Sequence, residues 1–201
     1  METLEDARAG LMAALSHRGA PSSDMDLNPG VSFPPGRTLR PAAVLVAVQM
    51  TGGAPHVILT KRSSALKHHP GQIAFPGGKV DPGDSDATAA ALREAEEEVG
   101  LPRDAVEVLG VLPGHETVTS FTISPVLALV HRPFEVRPEP GEVDEAFLVP
   151  FTHLADKARY SVQSRRWRGE QRHYFTVPWG PYYIWGATAR ILRGLAERLP
   201  V

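Results

Sequence analysis

The chain has 201 residues, 42% of them hydrophobic and 22% charged, with a formal net charge of -2. That is ordinary for a globular protein with one core, and so balanced a charge offers no field for nucleic acid or for an anionic membrane surface. Cysteine is absent, which excludes a disulfide scaffold, a thiol nucleophile and a thiolate metal site and fits a reducing compartment without locating the protein; a cytoplasmic location is expected.

The first stretch, "METLEDARAGLMAALSHRGA", is charged and amphipathic, without a basic start leading into an apolar run, and no signal peptide is expected. No apolar run approaches the ~20 residues of a membrane span. Leu4, Ala7, Leu11 and Leu15 recur at helical spacing, which predicts a helix over 3–17. Residues 18–41 are rich in Pro, Gly, Ser and Asp and read as an extended connection. "AAVLVAVQM" (42–50) and "HVILTKR" (56–62) flank "TGGAP", a hairpin with a Gly-containing turn. The segment 67–86 holds too many Gly, Pro and Asp for a long element and reads as a functional loop with a short strand at 72–75. A helix over about 86–99 follows, with Ser85 or Asp86 as cap, Gly100 just past its end and Pro102 preventing continuation. "AVEVLGVLPG", "TISPVLALV", "EAFLVPF" and "RHYFTV" are four further strands, and 182–199 reads as a C-terminal helix. Hairpins outnumber alternating βα units, which predicts an α+β class. One domain is expected: a helix and connection over 1–38, a core over 39–160, and a hairpin and helix over 161–201.

"REAEEEVG" (93–100) crowds four glutamates into eight residues. Successive helix residues turn by about 100°. With Glu94 as zero, Glu97 lies about 60° to one side and Glu98 about 40° to the other. These three share one face, and Glu96 points away. Ala91, Leu92, Ala95 and Val99 fill a neighbouring apolar arc. Arg93 stands one turn before Glu97, placed to orient an acid. For an arbitrary Glu-rich helix a solvated acidic face is the commoner reading of such spacing; the sharper one is a site for a hard divalent cation, since Mg²⁺ favours carboxylate oxygens. "FPGGKVDPGD" (75–84) stands directly before this helix, and its Gly77 and Gly78 allow close backbone approach or a turn.

Loop and helix together resemble the Nudix box of the Nudix hydrolases: Gly, five residues, Glu, seven residues, then Arg-Glu-U-x-Glu-Glu-x-Gly-U with U apolar. Arg93, Glu94, Ala95, Glu97, Glu98, Gly100 and Leu101 match the second half. The first half departs: one extra residue separates Gly78 from Arg93, and no Glu holds the upstream position, where Asp84 and Asp86 are the nearby acids. The preceding "LTKRSSALKHHPGQIAFPGG" (59–78) is similar to the signature of coenzyme A pyrophosphatases, Leu-Leu-Thr-x-Arg-Ser, x3-Arg-x3-Gly-x3-Phe-Pro-Gly-Gly. Thr60, Arg62, Ser63, Gly71, Phe75, Pro76, Gly77 and Gly78 match, and Lys67 replaces the inner Arg, keeping its charge without the bidentate fork. "YYIWGATARIL" (182–192) resembles that group's Ile-Trp-Gly-x-Thr-Ala segment.

The resemblance implies a Nudix fold, a mixed sheet between α-helices (α/β/α), and Mg²⁺- or Mn²⁺-dependent hydrolysis of coenzyme A or its derivatives. Divalent metal would neutralise the diphosphate and acidify a bound water. Carried over residue by residue, Glu94, Glu97 and Glu98 are metal ligands or base-assisting acids, the Gly77 carbonyl is a further ligand, and Arg93 holds an acid. The base is left open among Glu142, Glu116 and Glu98. Arg62 and Lys67 are the first choices for the substrate's 3′-phosphate, with Gly78 beside them. The run "RRWRGEQRHY" (165–174) reads either as a surface hairpin or as a substrate contact. Trp167, Tyr174, Tyr182, Tyr183 and Trp185 are aromatics that either stack on adenine or sit in the core. His68 and His69, adjacent on an extended loop, point opposite ways and are not expected to share a metal. Rival substrates are ADP-ribose, a dinucleoside polyphosphate or a capped RNA end, and the rival outside the enzyme class is a nucleotide sensor. The partner expected is a small molecule, with neither nucleic acid nor membrane, and a homodimer is allowed.

Overall fold

A computed structural model describes residues 3–17, 19–31, 36–167 and 169–200. Residues 18 and 32–35 of the expected connection, Arg168 of the basic run and the Trp167 side chain lie outside the described residues.

Helix α1 (Leu4–Ser16) opens on a capping box in which the Thr3 hydroxyl accepts the Asp6 N–H and the Asp6 carboxylate accepts the Thr3 N–H. A two-residue strand, β1 (Ser22–Ser23), interrupts the connection. Strands β2 (Arg40–Thr51) and β3 (Ala54–Arg62) form the expected hairpin, turned by Gly52 and Gly53 at φ 59° and 77°. Then come β4 (Ile73–Ala74), β5 (Gly77–Lys79) and α2 (Ala87–Val99). Strands β6 (Val106–Val111), β7 (His115–Glu116), β8 (Phe121–Val130) and β9 (Val143–Pro150) precede the short α3 (Phe151–Ala155). The chain ends with β10 (Ser161–Trp167), β11 (Glu170–Thr176) and α4 (Ala187–Arg198).

The sheet is mixed. Its centre is β8 parallel to β2, with β2 antiparallel to β3 and β3 antiparallel to β9. Alternation along the strands sorts the core into two faces. Val46, Val48, Leu127 and Leu129 meet α1, α3 and α4 through Leu11, Phe151 and Leu192. Ala43, Leu45, Ala47, Val126 and Ala128 meet α2 through Ala90, Ala91, Ala95 and Val99. Each large aliphatic side chain so buried contributes about 1.5–3 kcal/mol. Alanines on both sides of the second interface let α2 lie close to the sheet. This is the expected α+β class with a sheet between helices. Among the described residues no helix is long and apolar enough to cross a membrane.

Two expectations are corrected. Gly77–Lys79 is a strand rather than part of a loop, because it pairs antiparallel with Ala42–Val44 of β2. The C-terminal helix begins at Ala187 rather than at 182. Gly186 stands before it at φ 65°, and Trp185 bridges back to Thr176. The N-terminal connection is fastened by the fully buried His115, whose Nδ1 is 2.9 Å from Ser22 Oγ and whose Nε2 is 3.1 Å from Asp24 Oδ1.

Candidate active site

Helix α2 starts where the Asp86 carboxylate accepts the Ala89 N–H at 2.8 Å, and it stops at Gly100 in the left-handed region. Its carbonyl end is also held from outside: Arg137 N–H donates to the Val99 carbonyl and Glu139 N–H to the Glu98 carbonyl, each at 3.0 Å. These bonds tie the segment ending at Glu142 to the acid helix. The Glu142 carbonyl accepts the Ser63 N–H at 2.8 Å, so the stretch after β3 closes the other side.

The four glutamates have separate environments. Glu96 is half exposed and pairs with Arg103. Glu97 is exposed at 55% of its side chain, and Glu94 is largely covered. Glu98 retains 4% exposure. The Gly77 N–H donates to Glu98 Oε2 at 3.1 Å, and the Glu94 carboxylate lies over Gly78, where a side chain would stand. Strand β5 is therefore the floor on which both acids rest.

Arg93 is the hub. Its Nε and Nη2 reach the two oxygens of Asp84 at 3.0 and 2.9 Å, the paired geometry of a guanidinium fork. Nη1 donates to Glu94 and Glu97 at 3.1 and 3.0 Å, and Nη2 to the Lys79 carbonyl. Of the two upstream acids, Asp86 caps the helix and Asp84 anchors Arg93. The sequence reading left the Asp84 role unassigned. Its signal was "DPGD" (81–84), which folds into a turn with the Asp81 N–H on Asp84 Oδ2 at 2.8 Å. Arg93 holds the Asp84 carboxyl down at about 2 from an ordinary 3.8. Arg93→Gln is expected to return that carboxyl toward its ordinary value, read by a carbon-detected NMR pH titration of Asp84.

Charge is poorly compensated deeper in. The Glu98 carboxyl is pushed up to about 7, first by burial and then by the charges of Glu94 and Glu142, while the Gly77 N–H and Arg62 oppose the rise. Glu94 is raised by burial, against the pull of Arg93, with Glu97 and Glu142 adding repulsion. Thus Glu142 acts on both acids and Arg62 on Glu98. Glu116 is instead paired with Arg37, and Lys67 sits exposed on the segment after Ser63. Sequence reasoning grouped Glu116 with Glu142, and the pairing with Arg37 sets Glu116 apart.

Residues 38–168 match the NUDIX domain. The chain belongs to the Nudix hydrolase family. It is similar to the uncharacterized Nudix hydrolase NudL of Escherichia coli K12, 41% identical over 162 residues that cover 81% of this chain and 84% of that one. It is 40% identical over 168 residues to the NudL of Citrobacter koseri, covering 83% and 87%. A MutT/nudix family protein from Enterococcus faecalis shares the fold with a TM-score of 0.51 at 14% identity, over 84% of this Nudix chain and 65% of that one.

Nudix hydrolases generally use divalent metal. As arranged, Glu94 and Glu97 accept from Arg93 and Glu98 faces Gly77. Among the described residues no three acid or histidine side chains converge on one point. The donor chemistry nevertheless fits a hard cation: oxygen ligands, two of them covered carboxylates whose mutual repulsion a cation would offset.

Proposed function

We propose that this Nudix hydrolase cleaves the diphosphate of coenzyme A or its derivatives with water, giving 3′-phosphoadenosine 5′-phosphate and 4′-phosphopantetheine. The observation that carries the reading is the contact between the two motifs. The segment 59–78 ends in Gly77 on Glu98 and Gly78 under Glu94, and its Arg62 acts on Glu98. Arg62, which belongs to the substrate resemblance alone, thus acts on an acid of the hydrolytic one, which supports assigning both to one site.

In this reading Glu94, Glu97 and Glu98, with the Gly77 carbonyl, hold Mg²⁺ or Mn²⁺, which when bound neutralises the diphosphate and acidifies water. Arg93 keeps Glu94 and Glu97 oriented. Arg62 meets phosphate oxygens by charge-assisted hydrogen bonds. Glu142 is the preferred acceptor of the water proton, because its charge acts on both Glu94 and Glu98. Gly78 leaves the space that Glu94 uses.

Purified protein incubated with coenzyme A and either metal is expected to release both products. Absence of cleavage with both metals overturns the reading, and faster turnover of ADP-ribose or a dinucleoside polyphosphate moves the substrate to those classes.

A further inference from the structure

A cavity of about 710 Å³ opens between the segment 59–78 and the bridge before α4. Its wall includes Lys61, His69, Gln72, Arg165, Tyr182 and Trp185. They come from four separate stretches: the end of β3, the segment 69–73, β10, and the bridge before α4.

The aromatic side is fixed in place. The Tyr182 ring stacks on Phe147 with centroids 3.5 Å apart, and its hydroxyl donates to Glu145. Trp185 is packed edge-on by Tyr174 at 5.1 Å, and the Arg165 guanidinium lies 4.1 Å over the Trp185 ring. Among the described residues Arg165 has no carboxylate partner. Glu145, the acid on the wall, is engaged by the Tyr182 hydroxyl. Two cations, Lys61 and Arg165, share the wall with one carboxylate, Glu145, next to an aromatic surface. That combination suits a planar base carrying an anion.

The cavity is also joined to the reacting end. Gly71 N–H donates to the Arg62 carbonyl and Arg62 N–H to the Gln72 carbonyl, each at 3.0 Å. The segment 69–73 is thus clamped to Arg62. The charge of Arg62 acts on Glu98 on one side and on His69 on the other, and Arg165 acts on the same His69. His69, on this wall, is held below its ordinary pKa by burial first and then by Arg62. The charges of Arg62 and Arg165 thus meet at His69 on the cavity wall.

We propose that the cavity is the subsite for a phosphorylated nucleoside, its base on the Tyr182–Trp185 wall and its phosphomonoester met by Arg165 and Lys61. The inference rests on the proposed hydrolysis of coenzyme A, whose adenosine carries such a phosphate. It moves recognition of that group away from Lys67.

The test is Arg165→Gln, an exposed strand position. The ratio of kcat/KM for coenzyme A to that for its 3′-dephospho form is measured in wild type and variant. Loss of one charge-assisted contact is expected to lower the ratio about tenfold, and a fall smaller than about fivefold overturns the subsite. Calorimetry with adenosine 3′,5′-bisphosphate separates the two proposals. If wild type cleaves neither substrate, the hydrolytic reading fails. The subsite still stands if the bisphosphate binds wild type and loses at least about fivefold affinity in the variant, and it falls if wild type does not bind or the variant binds equally.

Discussion

Glu98→Gln is expected to lower turnover by about 10³-fold while raising the melting temperature of metal-free protein at pH 8. Both effects come from one carboxylate. Glu98 is buried under Gly77, and its carboxyl stands at about 7 rather than the ordinary 4.5. Between those two values the folded protein binds more protons than the unfolded chain. Stability therefore falls as pH rises through this window and stays low above it. The shift corresponds to about 3 kcal/mol at pH 8. Glutamine keeps an oxygen for the Gly77 N–H and never charges, so the variant escapes that loss. Melting curves from pH 5 to 9 without metal are expected to slope downward for wild type and to flatten for the variant. Adding Mg²⁺ or Mn²⁺ at pH 8 is expected to raise the wild-type melting temperature and to leave the variant's much less changed, because a cation replaces the missing compensation. A variant that retains wild-type turnover removes Glu98 from the chemistry.

The acid helix was legible because everything that makes it is local. Asp86, Gly100 and Pro102 set its ends, and a rotation of about 100° per residue separates Glu96 from the other three. The strands were legible from apolar alternation for a similar reason. What escaped the sequence depends on distant partners. Gly77–Lys79 has no side-chain pattern to read, and it becomes a strand only by pairing with Ala42–Val44. Tyr182–Trp185 has helix-like apolar content, yet the backbone turns at Gly186 and Trp185 pairs with Thr176. That departure from helix places Tyr182 and Trp185 on a cavity wall, Tyr182 being packed against the core as well. Glu116 and Glu142 look equivalent as loop acids. They differ because Arg37 pairs with the first, while bonds from Arg137 and Glu139 to the end of α2 bring the second toward Glu98.

Gly77→Ala and Gly78→Ala, adjacent and chemically identical, are expected to fail in different ways. A Cβ on Gly77 would stand 2.7 Å from the Val44 Cα and closer still to the Ala43 carbonyl oxygen. Both belong to the backbone of β2, at the centre of the sheet, and cannot swing aside. The backbone at Gly77, φ 157°, adds strain for any side chain. Gly77→Ala is expected to cost roughly 2–4 kcal/mol and to lower the melting temperature by about 5–15 °C. A Cβ on Gly78 meets a different neighbour: its three nearest atoms all belong to the Glu94 carboxylate, with Cδ at 2.5 Å. That group ends a flexible side chain and can rotate away, so the fold is expected to survive with a melting temperature within about 2 °C of wild type. Rotation, however, takes Glu94 off β5 and away from Arg93 Nη1. Displacing a reacting group by about 1 Å costs on the order of 10²-fold, and Gly78→Ala is expected to lose that much kcat/KM in folded protein. Calorimetric melting beside steady-state kinetics reads both outcomes. If Gly78→Ala keeps full activity, the position of Glu94 against β5 has no part in the reaction. If Gly77→Ala melts like wild type, the close packing of β5 on β2 is not what requires a glycine there.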